Sequence, residues 1–174
     1  MRILVVGAGG REHALVRRLA EDQASHDIQA APGNPGIAGL VPCHPVSTTN
    51  LDGLLALARD LDPELVVIGP EQPLADGLAD RLRAEGRAVL GPSAAAARLE
   101  TSKAFAKAFM ARHGVPTAAF ETCRSREEAM EAIDRFGIPV VVKADGLAAG
   151  KGVVVAASRD EAVTAVNAAM AATS

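Results

Sequence analysis

Three short apolar runs constrain this chain more than any other feature. They are Arg2–Val6, Asp27–Ala31 and Glu64–Ile68, and each ends in glycine or proline. Each is followed further along the chain by a stretch with helical spacing. After the turn Gly7–Gly10, Leu15, Val16 and Leu19 mark a helix over Arg11–Glu21. The cluster Pro32-Gly33-Asn34-Pro35-Gly36 can continue neither a strand nor a helix. Asn50 stands where an N-cap belongs, ahead of Leu54, Leu55 and Leu57. The segment Gly69–Pro73 reads as a loop, Leu74–Ala84 as a helix, and Ala88–Leu90 as a short strand closed by Gly91-Pro92. Strands alternating with helices over short loops predict an α/β fold with a Rossmann-like parallel sheet over residues 1–92.

The remainder has a different rhythm. Residues 93–116 read as a helical connector, interrupted near Thr101-Ser102 and ended by Gly114-Val115-Pro116. Residues 117–174 read as a strand near Thr117–Glu121, a helix from Ser125, a buried strand Pro139–Lys143, a glycine loop, a strand Gly152–Ala156 and a helix from Ser158. Ser125 with Glu128, and Ser158 with Glu161, have capping-box spacing.

Composition narrows the classes. The 174 residues carry a net charge of −3 and no basic block, which argues against dedicated nucleic-acid binding. No apolar run approaches a membrane span, and the start of the chain does not read as a signal peptide. Cys43 and Cys123 lack metal-ligand spacing and read as reduced thiols of a cytoplasmic protein.

Two glycine clusters could carry chemistry. In Gly7-Ala8-Gly9-Gly10-Arg11-Glu12, a strand hands over to a helix, so backbone amides can face an anion. Glu12 stands where a dinucleotide fingerprint needs its third glycine, which disfavours nicotinamide or flavin. Arg11 there favours a phosphorylated substrate, with a plain tight strand-to-helix turn as the alternative. Glu71, at the end of the third strand, could accept hydrogen bonds from hydroxyls or an amine, or simply face solvent. In a continuous helix, Lys103 would lie beside the apolar stripe of Leu99 and Met110, either snorkelling or reaching into a site. The loop Asp145–Gly152 has three residues between Gly146 and Gly150, not the four of a P-loop, and it joins two strands. It is either a glycine-rich hairpin or a phosphate cover flanked by Lys143 and Lys151.

Together VVGAGGREHAL (5–15), APGNPGIA (31–38), VVIGPEQPLADGLAD (66–80), GPSAAAARLETSKAFAKAFM (91–110) and PVVVKADGLAAGKGVVV (139–155) resemble the phosphoribosylamine–glycine ligase (glycinamide ribonucleotide synthetase) family. That family belongs to the ATP-grasp enzymes. The resemblance implies a Rossmann-like domain followed by a partial, α+β ATP-grasp domain. It implies ligation of glycine to 5-phosphoribosylamine through a glycyl phosphate, with ADP and phosphate released, in purine biosynthesis. By match, Gly9, Gly10, Arg11, Glu12, Asn34, Pro70, Glu71 and Leu74 would bind the phosphosugar. Lys103, Lys143, Gly146, Gly150, Lys151 and Gly152 would bind ATP. The resemblance also implies Mg2+ or Mn2+, whose ligands have no counterpart in this sequence, and it assigns no catalytic residue. The partners implied are small molecules, with no nucleic acid and no membrane; oligomeric state is left open. Family members are longer, so the 174 residues alone are expected to have negligible ligase activity. Another ATP-grasp carboxylate–amine ligase and a non-catalytic phosphosugar- or nucleotide-binding module are the alternatives.

Overall fold

The computed structural model describes residues 1–147 and 152–171. The chain divides into two compact units, Met1–Thr101 and Ser102–Ser174.

The first unit is a parallel sheet between two helical layers. Its elements are β1 (Arg2–Gly7), α1 (Gly10–Ala20), β2 (Asp27–Pro32), α2 (Pro35–Ala38), α3 (Leu51–Leu61), β3 (Leu65–Ile68), α4 (Glu71–Ala75), α5 (Leu78–Ala84), β4 (Val89–Leu90) and α6 (Ala94–Thr101). The strand order is β2-β1-β3-β4, with every pairing parallel. Side chains alternate across a strand, and β1 is buried on both faces. Leu4 and Val6 join Leu54, Leu55, Leu78 and Leu82 on one side. Ile3 and Val5 join Val16, Ile28 and Ile37 on the other.

The order matters for function. From β1 the chain steps to one side to form β2, then returns past β1 to form β3. The carboxyl ends of β1 and β3 therefore flank the point where the winding reverses, and open α/β sheets bind ligands there.

The second unit contains α7 (Lys103–Arg112), α8 (Arg126–Phe136), β5 (Val140–Lys143), β6 (Val153–Ala156) and α9 (Arg159–Ala171). β5 and β6 are antiparallel, pairing Val140 with Ala156 and Lys143 with Val153. Val140 and Val142 turn toward a core of Ala129, Ile133, Ala156, Ala162 and Val166.

Several expected elements shift. Helix α4 begins at Glu71, inside the expected loop, because Pro73 falls in its first turn, where a missing N–H costs no hydrogen bond. The expected helix 74–84 is broken at Gly77, whose φ of +86° is open to glycine. The connector is likewise split: Ala97 of α6 is buried in the first unit's core, whereas α7 belongs to the second unit. The break lies at Ser102, whose hydroxyl accepts from the Phe105 amide at 3.1 Å. Gly114, at φ +67°, follows the end of α7, and the Val115 amide reaches back to the Met110 carbonyl. Residues 117–121 form no strand, having no ladder partner among the described residues. Instead the Lys107 ammonium holds the Thr117 hydroxyl and the Ala118 carbonyl. Both capping boxes form, with each glutamate reaching one residue further back: Glu128 to the Arg124 amide and Glu161 to the Ala157 amide.

Leu78 is fully buried among the helices of the first unit. Leu78→Ala should lower the unfolding free energy by about 2–5 kcal/mol, read from urea denaturation at constant m-value.

Candidate functional site

Three loops meet at the switch point of the first unit. The β1–α1 turn supplies Gly9, Gly10, Arg11 and Glu12; the β2–α2 turn supplies Asn34; the β3–α4 turn supplies Pro70 and Glu71. Backbone hydrogen bonds join their starts. The Gly33 amide donates to the Gly7 carbonyl at 3.1 Å, and the Gly69 amide to the Val6 carbonyl at 3.0 Å. Asn34 makes a further tie. Its Oδ1 accepts from the Ile37 amide at 2.9 Å, and its Nδ2 donates to the Ala8 carbonyl at 2.9 Å.

Gly9 is the N-cap of α1 and contributes no side-chain acceptor. The first-turn amides around Gly10 are thus available to an external anion. Arg11, with 70% of its side chain exposed, donates to Glu71 Oε1 at 2.6 Å. That hydrogen bond and the guanidinium charge hold the Glu71 carboxyl below its ordinary range, and Glu71 raises Arg11 in turn. An exposed pair of this kind is readily exchanged for a phosphate.

Two of the predicted residues sit differently from the expectation. Glu12 is only 3% exposed, with Oε2 taking the Gly9 amide at 2.6 Å. Leu74 is buried in the core, with its Cδ2 2.9 Å from where a Cβ on Gly91 would lie.

The residues expected to bind ATP belong to the second unit. Lys103 opens α7, and its Nζ donates to the Gly146 carbonyl at 2.8 Å. The stripe expected for a continuous helix does not exist, because the helix ends at Thr101 and restarts at Lys103. Lys143 ends β5. That strand is half-buried rather than buried, since only one face of the hairpin meets helices, and Lys143 lies exposed with Val141, Val153 and Val155 on the other face. The Ala144 amide bonds to the Gly152 carbonyl at 2.8 Å and closes the base of the glycine loop. Gly146 has φ +84°. Gly150 and Lys151 lie outside the described residues.

One anchoring residue went unassigned in the sequence. Asp145 accepts from the Ser102 hydroxyl at 3.1 Å and the Ala104 amide at 3.2 Å, so the start of the glycine loop is tied to the start of α7. The only sequence hint was an aspartate directly after the lysine strand, with nothing to pair it to Ser102, 43 residues away. Partial burial pushes its carboxyl up. The bonds from Ala104, Gly146, Ser102 and Lys103 outweigh this and hold it below 3.8. Among the described residues, no three His, Cys, Asp or Glu side chains converge to hold a metal. Among them, too, no helix is long and apolar enough to cross a membrane.

Comparison with known proteins decides the family. Residues 1–100 match the phosphoribosylglycinamide synthetase N domain, and residues 101–174 match its ATP-grasp (A) domain. The chain belongs to the phosphoribosylglycinamide synthetase family. The phosphoribosylamine–glycine ligase of Phenylobacterium zucineum is 52% identical over 167 residues, covering 96% of this chain and 40% of that protein. The Corynebacterium ammoniagenes protein of the same name is 53% identical over 167 residues, covering 93% and 39%. The crystal structure of the Thermotoga maritima phosphoribosylamine–glycine ligase superposes with a TM-score of 0.74 at 35% identity, over 94% of this chain and 38% of that one. A biotin carboxylase domain from Hydrogenobacter thermophilus, 22% identical with a TM-score of 0.73, shares the fold over 97% of this chain and 40% of that one. The chain thus spans about two fifths of the length of the phosphoribosylglycinamide synthetase relatives it matches.

Because the folded Asp145 carboxyl lies below its ordinary value, its bonds stabilise the fold above that value and are lost as pH falls through the folded one. The stability gap between the parent chain and Asp145→Asn should be constant from about pH 7 to about pH 5 and narrow below 3.8, as read by urea denaturation. A gap that does not change with pH would assign the effect to packing instead.

Proposed function

We propose that this chain forms the phosphosugar site and part of the ATP site of a phosphoribosylamine–glycine ligase. The observation that carries the reading is the convergence at the switch point: a helix start capped by glycine, an exposed arginine beside it, and Asn34 and Glu71 brought in from two other strand ends. The first-turn amides and Arg11 suit a phosphate, and Glu71, freed from Arg11, suits the hydroxyls or amine of a ribosylamine. The relatives' shared name supplies the amine and the acid.

The chemistry follows from those substrates. The γ-phosphoryl group of ATP passes to the glycine carboxylate, giving glycyl phosphate and ADP. The amine of 5-phosphoribosylamine then attacks the acyl carbon, the C–O bond to phosphate breaks, and glycinamide ribonucleotide and phosphate leave. In this reading Lys103 and Lys143 neutralise charge on the ATP phosphates, Lys103 exchanging the Gly146 carbonyl for a phosphate oxygen. The exposed face of the hairpin, with Val141, Val153 and Val155 beside Lys143, offers apolar surface to a flat base next to a cation. A divalent ion, once bound, would supply Lewis-acid polarisation of the phosphoryl group. Small-molecule partners and a cytoplasmic setting belong to the same reading.

Calorimetry of the chain with ribose 5-phosphate and, separately, with ATP tests the assignment. Arg11→Ala should weaken ribose 5-phosphate about tenfold and leave ATP unchanged, as loss of one charge-assisted contact implies. Lys143→Ala should do the reverse without altering the melting temperature. An Arg11 effect confined to ATP, or no ATP effect at Lys143, would overturn the respective assignment. In the complete enzyme, ADP release should require both glycine and phosphoribosylamine.

A further inference from the structure

Glu12 occupies the position at which a dinucleotide-binding turn has its third glycine, and its side chain is sealed in the protein. Its carboxylate sits where three glycines meet. A Cβ on Gly7 would lie 2.5 Å from Glu12 Cγ, one on Gly9 2.8 Å from Oε2, and one on Gly69 2.1 Å from Oε1. The side chain thus fills a socket built from the exits of both β1 and β3. Oε2 takes the Gly9 amide, while Oε1 is buried with no hydrogen-bond partner. A carboxylate kept in such a place calls for an explanation. With 3% of the residue exposed, direct contact with a ligand does not supply one.

We propose that Glu12 is a positioning residue. It links the β1–α1 turn to the β3–α4 turn from inside and so sets the separation of Arg11 and Glu71, without touching the phosphosugar. This rests on the phosphosugar reading of the site. The two turns have a second link, the Arg11–Glu71 pair at 2.6 Å, but that pair is exposed, screened by water, and must open to admit a phosphate. Of these two side-chain links only the buried one persists when ligand arrives, beside the backbone bond from the Gly69 amide to the Val6 carbonyl. The chain geometry agrees: Arg11 directly precedes Glu12, and Glu71 lies two residues after Gly69. Glu12 thus stands where the third glycine of a dinucleotide site would let helix and strand pack closely.

The test uses Glu12→Ala and the isosteric Glu12→Gln in the full chain, with Glu12→Asp replacing the alanine variant should that one not fold. Two readouts are taken. Amide hydrogen exchange follows the Gly69 N–H, which donates to the Val6 carbonyl and makes no bond to Glu12. Calorimetry follows ribose 5-phosphate. Glu12→Ala is expected to lower Gly69 protection and ribose 5-phosphate affinity together, each by about tenfold, the loss expected when one charge-assisted bond goes. Glu12→Gln, whose amide oxygen can still take the Gly9 N–H, should keep both within about threefold of the parent. Unchanged Gly69 protection in Glu12→Ala would overturn the proposal. So would a Glu12→Gln variant that keeps Gly69 protection yet binds as weakly as the alanine variant, since that outcome means the charge acts on the ligand. If the parent does not bind ribose 5-phosphate, the phosphosugar reading fails, while Gly69 protection still decides whether Glu12 sets the two turns.

Discussion

The first unit depends on β1 being buried from both sides. Leu4 and Val6 face one helical layer, Ile3 and Val5 the other, and all four are at most 3% exposed. β1 also has its neighbours β2 and β3 on opposite flanks, so the winding reverses beside it. The reversal opens a crevice at the strand ends, and the sequence puts glycines, an arginine and two glutamates there. Core and site thus share one cause, because the packing that stabilises β1 also fixes where a ligand can enter.

The second unit solves a smaller problem with fewer apolar groups. Helix α7 has no buried residue, so its start is held by polar bonds: the Ser102 cap, the Asp145 carboxylate and Lys103 on the Gly146 carbonyl. These bonds join the lysine at the head of α7 to the first residues of the glycine loop. A carboxylate at a helix start also suits the helix dipole, so the anchor is favourable in itself.

Much of this was legible from residue pattern. The alternation of apolar runs and helical spacing fixed the α/β class, and Asn50, Ser102, Ser125 and Ser158 marked helix starts through the hydrogen bonds their side chains make locally. Features that depend on contacts distant in sequence were not legible. Nothing local says that Glu12 meets Gly69, that Asp145 meets Ser102, or that Leu74 turns inward. Residues 117–121 show the converse error, since strand propensity cannot form a strand without a partner. At Pro73 a turn-like composition concealed a helix, because proline is harmless in a first turn.

Asn34 shows how one position can narrow its own choice of residue. As a helix cap it could be exchanged for aspartate, serine or threonine, all of which present an oxygen to the first turn. As a bridge it cannot, because the Ala8 carbonyl requires a donor on a separate atom from the acceptor that serves Ile37. Aspartate would set a second oxygen against that carbonyl, and a single hydroxyl would have to serve two loops from one point. The side-chain amide is therefore the part of this residue under constraint, and drift at this position is restricted by a neighbouring loop rather than by the helix it begins.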